Sequence, residues 1–251
     1  MSKIRSAFTD KRAFIPFITC GDPDLNTTAE VARAAAENGA DIIIFGIPFS
    51  DPTAEGPVVQ DASLRALAGG VTTDKIFDFV KELRSDVKIP FVFMTYANVV
   101  FSYGIERFMT ECQKAEVDGI IIHDVPFEEK REFSDTAKEY GIDIISIIAP
   151  APAARIAMIA KEAEGFIYLI SGNSNDSNIG IVSDPTDMIS VIRENTDVPC
   201  VMNTDSDKTD DIPSVSDGVI AGTAVISLIE AHGKDAVSYV GEYVKSAKAS
   251  L

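Results

Sequence analysis

Two short stretches carry residues able to move protons. His123 and Asp124 are adjacent at the end of an apolar run. A histidine beside a carboxylate can serve as a general base or a metal ligand. Successive strand residues point to opposite faces, so the two side chains need not converge, and an ordinary polar strand end is the default reading. Glu55 lies in GIPFSDPTAEGPVVQ at 46–60, a long connection with three prolines. Asp205, Asp207, Asp210 and Asp211, with Asp176 earlier in the chain, are oxygen-rich as calcium ligands are, but lack the ordered Asp/Asn/Gly/Glu spacing of a calcium loop. A solvated acidic loop is expected there, and no metal site. Gly222-Thr223 opens a segment whose free backbone N–H groups would suit an anion. Ser50 has no base evident in the sequence, and HExxH, GxGxxG, P-loop and GxSxG motifs are absent.

The elements that must position these residues alternate. Eight short apolar runs, rich in Ile, Val and Phe, fall at Phe14–Cys20, Asp41–Gly46, Pro90–Thr95, Asp118–Ile122, Asp143–Ile147, Gly165–Ile170, Val198–Met202 and Asp217–Ala221. Runs of this kind read as strands buried on both faces. Between them, Thr27–Asn38 stops at Gly39, Asp74–Arg84 places Ile76, Phe77, Val80 and Leu83 on one stripe, and Glu128–Tyr140 stops at Gly141. Pro185–Asn195 and Lys234–Ala249 read as further helices, and Asp207–Val215 as a weak one. Eight strand–helix alternations predict an α/β fold, a single (β/α)₈ barrel over 1–251, with a doubly wound open sheet as the alternative. In a barrel, chemistry gathers where the strands end.

Composition sets bounds. The chain has 251 residues, 22 Lys+Arg against 39 Asp+Glu, and a net charge of −17. Such a balance argues against a nucleic-acid or anionic-membrane partner, because phosphates require cationic neutralisation. Three widely spaced cysteines, Cys20, Cys112 and Cys200, exclude a disulfide framework. Without an apolar leader or an 18-residue apolar run, a cytoplasmic location is expected.

Several motifs in register carry a resemblance. PFITCGDPD at 16–24, the 46–60 segment, MTYANVVFSYGIERF at 94–108, DVPFEEK at 124–130, GFIYLIS at 165–171 and SDGVIAGTAVI at 216–226 together resemble the tryptophan synthase α subunit over nearly the whole chain. The resemblance implies a (β/α)₈ fold and retro-aldol cleavage of indole-3-glycerol phosphate to indole and glyceraldehyde-3-phosphate. It implies no metal or organic cofactor, and a β-subunit partner that receives indole. Phe17, Tyr96, Asp124 and Tyr168 match the substrate pocket, and Gly222-Thr223 the phosphate site. Asp51-Pro52 and the segment containing Asn98 resemble partner-facing surfaces.

The match breaks at the reacting centre. The family's second strand ends Glu-x-Gly-x-Pro-Phe-Ser-Asp-Pro; here it reads Ile44-Phe45-Gly46-Ile47-Pro48-Phe49-Ser50-Asp51-Pro52. Ile44, which cannot exchange a proton, stands at the glutamate position. Glu55 stands at the position of the loop aspartate and keeps a carboxylate. His123 replaces a residue that is usually not ionisable. In the sixth loop Asp176 stands at a threonine and Ser177 at a glycine, and Asp205 at a glycine after the seventh strand. The expectation is a lyase strongly impaired or lost. The alternatives are a non-catalytic barrel that binds a β subunit, or one redirected to another small ligand, uncharged or cationic, with His123, Asp176 and Asp205 as a new polar site.

Overall fold

The computed structural model describes residues 2–8, 12–170, 180–204 and 213–251. Asp176, Asp205 and most of the weak helix expected at 207–215 lie outside the described residues. The chain runs through α1 (Lys3–Ser6), β1 (Ala13–Thr19), α2 (Leu25–Glu37), β2 (Ile43–Gly46), α3 (Pro57–Ala68), α4 (Thr73–Leu83), β3 (Phe91–Thr95), α5 (Ala97–Tyr103), α6 (Ile105–Lys114) and β4 (Gly119–Ile122). It continues through α7 (Arg131–Glu139), β5 (Asp143–Ile144), β6 (Ser146–Ile148), α8 (Ala153–Lys161), β7 (Ile167–Leu169), α9 (Pro185–Arg193), β8 (Cys200–Thr204), β9 (Gly218–Ala221), α10 (Thr223–His232) and α11 (Ala236–Ala249).

All strand pairs are parallel, in the order β5-β4-β3-β2-β1-β9-β8-β7-β6. The first strand pairs with both the second and the last, which excludes the open doubly wound sheet and makes the (β/α)₈ barrel. One seam remains. The fifth barrel strand is split at Ile145: β5 pairs with β4, whereas β6 pairs with β7. Ile145 N donates to Ile120 O at 2.9 Å, the last link on the β4 side.

Alternation along each strand sorts side chains into two layers. Ile15, Phe17, Ile42, Ile44, Val92, Met94, Ile121, Ile145, Tyr168, Val201 and Ile220 fill the barrel. Phe14, Ile18, Phe45, Phe93 and Ile120 face the helices. Helix ends follow local chemistry. Asp24 Oδ1 accepts from Thr27 N at 2.8 Å to start α2, Thr72 caps α4, and Asp184 accepts from the N–H groups of Thr186 and Asp187 before α9. The helix expected from Glu128 begins instead as a 3₁₀ turn, Phe127–Glu129, before α7. The last helix begins at Ala236, because Gly233–Asp235 form another such turn. Among the described residues no helix is long and apolar enough to cross a membrane.

Candidate active site

The mouth of the barrel holds a cavity of about 410 Å³. Phe17, Met94, Tyr168, Ile170 and Ile220 supply apolar walls; Glu55, His123, Asn203 and Thr223 supply polar groups. Phe17 reaches its place because residue 46 is glycine: a Cβ there would lie 2.4 Å from the Phe17 ring. Gly222 and Thr223, at the start of α10, border the same cavity. The ten-residue helix α10 has no side-chain cap at its N-terminus, which leaves a positive dipole end there.

Ile44 is fully buried in the interior layer beside Phe17, Met94 and Tyr168. It does not line the cavity itself.

Glu55 is held by its loop. Glu55 N donates to Pro52 O at 3.1 Å, and Gln60 of α3 donates to Glu55 O at 2.8 Å. One residue earlier, Ala54 N donates to the Tyr96 hydroxyl at 3.2 Å. Tyr96 packs on Phe49, with ring centres 5.1 Å apart, so it braces the loop rather than lining the main cavity. The Glu55 side chain is only 14 % exposed. Burial pushes its carboxyl up to about 7, since an ionised carboxylate loses hydration there.

His123 follows β4 and, by alternation from Ile121, turns inward. Its side chain is 6 % exposed, and Nε2 lies 3.8 Å from Glu55 Oε1. Nε2 is buried with no hydrogen-bond partner among the described residues. The ring sits between Tyr96 and Tyr168, at 5.9 and 6.3 Å between centres. Desolvation lowers the imidazole to about 4, partly opposed by Asp124. Asp124 itself turns away: Oδ1 accepts from Ala97 N at 2.7 Å, tying the β4 turn to the start of α5. The adjacent pair His123-Asp124 therefore diverges, and His123 meets Glu55 instead.

Two features escaped the sequence. Met94, Asn203 and Ile220 line the mouth, and counting alternate residues along β3, β8 and β9 would have found them. A second cavity, about 420 Å³, opens where β4 and β6 part, lined by His123, Asp124, Lys130, Ser146, Ile147 and Arg155 among others. No local signal marks a strand that changes partners midway. Among the described residues no group of three or more His, Cys, Asp or Glu side chains is placed to hold a metal ion.

This architecture has counterparts along its full length. The family model described as tryptophan synthase alpha chain matches residues 4–250. The chain belongs to the tryptophan synthase alpha chain family. The alpha chain of Lacticaseibacillus casei is 38% identical over 259 residues, covering 100% of this chain and 96% of that protein. The alpha chain of Alkaliphilus metalliredigens is 40% identical over 242 residues, with 94% and 91% covered. Among solved structures, an Aquifex aeolicus protein superposes with a TM-score of 0.90 at 30% identity, covering 100% of this chain and 99% of that one. A chain of the Pyrococcus furiosus tryptophan synthase complex gives 0.84 at 28% identity, with 96% and 99% covered. Such alpha chains share with this protein the barrel on which Glu55, His123 and α10 are mounted.

Proposed function

We propose that this protein is an alpha-type barrel that takes an indole-glycerol-phosphate-like ligand at its mouth and cleaves it at a strongly reduced rate. Ile44 carries the reading. At the position where the resemblance places a catalytic glutamate, the structure holds a fully buried aliphatic side chain among other apolar ones. Nothing at that point exchanges a proton, and loss of a positioned acid/base group costs about 10²–10⁴-fold in rate. What persists suits binding. An apolar cavity fits an indole ring, and the α10 N-terminus is suited to a phosphate.

The Pyrococcus furiosus relative is described as part of a tryptophan synthase complex. A β-subunit partner for this chain is favoured by Phe101, 48 % exposed on α5, on the same helix as Asn98. Co-purification with a tryptophan synthase β subunit tests that partnership; no complex at micromolar concentration would remove it.

Indole release from indole-3-glycerol phosphate tests the activity. The expected rate lies at least about 10²-fold below that of a working alpha chain under the same conditions. Turnover at the working chain's rate would overturn the proposal.

A further inference from the structure

The mouth lacks one proton-exchanging group, yet contains another that the resemblance does not supply. His123 Nε2 faces Glu55 Oε1 at 3.8 Å, both side chains are largely buried, and both border the cavity that would hold substrate. We propose that Glu55 and His123 act as one acid–base pair and carry whatever cleavage this chain performs. This rests on the reading of the mouth as an indole-glycerol-phosphate site.

The step balances. The Glu55 carboxyl gives its proton to the indole ring carbon that bears the side chain, leaving a ring iminium. His123 Nε2 takes the proton from the hydroxyl on the attached carbon. The O–H pair becomes the aldehyde carbonyl, the carbon–carbon bond breaks, and its electron pair returns to the ring and neutralises the iminium. Indole and an aldehyde leave. Glu55 is then a carboxylate and His123 an imidazolium; the imidazolium returns its proton to the carboxylate through one bridging water or after a small approach from 3.8 Å, which restores both.

The surroundings favour this starting form. A protonated carboxyl beside a neutral imidazole is what burial selects on both sides. Among the described residues, the groups that face His123 leave that form intact. Tyr96, from the end of β3, is pushed up to about 12 and stays un-ionised. The Tyr168 ring of β7 stands steeply tilted to the imidazole, at 69°. Asp124, on the same turn, is engaged with Ala97 N. Lys130 and Arg155 border the seam cavity and not the mouth, and no lysine or arginine among the described residues lines the mouth.

The chain contains only two histidines, so a histidine spectrum of the full protein is simple to assign with His123→Asn. Two measurements test the pair. In the first, His123→Asn and Glu55→Gln should each lower indole release by at least about 10-fold with KM little changed. The double variant should be no slower than the worse single one. Release unaffected by His123→Asn would overturn the pair. In the second, ¹⁵N NMR should show the His123 ring nitrogens shifting near pH 7, as Glu55 ionises, without becoming protonated. Glu55→Gln should abolish that shift. If the unaltered chain releases no indole at all, the reading of the site fails separately. The pair is then judged by the spectrum: the linked shift supports it, and a His123 signal indifferent to Glu55→Gln overturns it.

Discussion

Replacing Glu55 by glutamine should change how stability depends on pH, and the structure fixes the sign. The folded protein holds the Glu55 proton up to about pH 7, whereas the free side chain releases it near 4.5. Folding therefore becomes less favourable as pH rises across that span, at about 1.4 kcal/mol per pH unit. Over about 2.5 pH units the full loss is on the order of 3 kcal/mol. It is an upper bound, because water entering the mouth would soften it. His123 acts oppositely. Its folded form stays neutral down to about 4 against an ordinary 6.5, so stability falls as pH drops through that interval. Between about pH 4.5 and 6.5 the two effects oppose. The folded state holds the carboxyl proton, the unfolded state holds the imidazolium proton, and these two groups give no net slope. Glutamine cannot ionise, so only the histidine effect remains. Urea denaturation followed by circular dichroism at pH 5, 6, 7 and 8 measures this. Glu55→Gln should gain up to about 3 kcal/mol relative to the unaltered chain between pH 5 and 8, most of it below pH 7. Parallel curves across the range would show that Glu55 ionises freely in water and is not buried in the folded protein.

Three further outcomes are expected. Gly46→Ala would place a Cβ 2.4 Å from the Phe17 ring, in a layer where Phe17 is nearly fully buried. It should lower stability by about 1–3 kcal/mol, measured by urea denaturation. Arg65→Ala would strip both hydrogen bonds from the buried Asp22 carboxylate, held at 2.8 and 2.9 Å. Leaving that charge unpaired should cost about 3 kcal/mol in the same assay. Cys20, Cys112 and Cys200 are all buried and free, and burial pushes each thiol up. An aromatic disulfide reagent at pH 8 should titrate none in the native protein and all three in denaturant.

The barrel was legible because buried parallel strands leave continuous apolar runs, and all eight reappear as barrel strands. The exception is instructive. The run 143–147 (Asp-Ile-Ile-Ser-Ile) carries no break signal such as Gly or Pro, but its two halves pair with different neighbours, a choice made by the distant strands β4 and β7. Among helices, α5 and α6 were not separated in the motif at 94–108. The break depends on Gly104, whose φ of +90° ends one helix and starts the next.

For the site, alternation alone would have turned His123 inward with Ile121. What alternation cannot supply is Glu55, because the reach of a long loop is set by tertiary anchors, here Gln60 and the Tyr96 hydroxyl. Asp124 illustrates the converse. Its motif marked it as a pocket residue, but a backbone N–H at the start of α5 claims its carboxylate. Tyr168, Phe17, Gly222 and Thr223 lie at the mouth as the motifs suggested, because strand ends and the α10 start are fixed by the barrel itself.

We propose that Ile44, standing where a proton-exchanging group is required, leaves a strongly impaired lyase. Indole release from indole-3-glycerol phosphate, measured for the unaltered chain and for Ile44→Glu, each with and without a tryptophan synthase β subunit, decides this. Slow release by the unaltered chain in both conditions and a gain of at least about 10-fold with Ile44→Glu are expected. Release by the unaltered chain at the rate of a working alpha chain, or an Ile44→Glu variant that folds and gains nothing, would rule out this role for position 44.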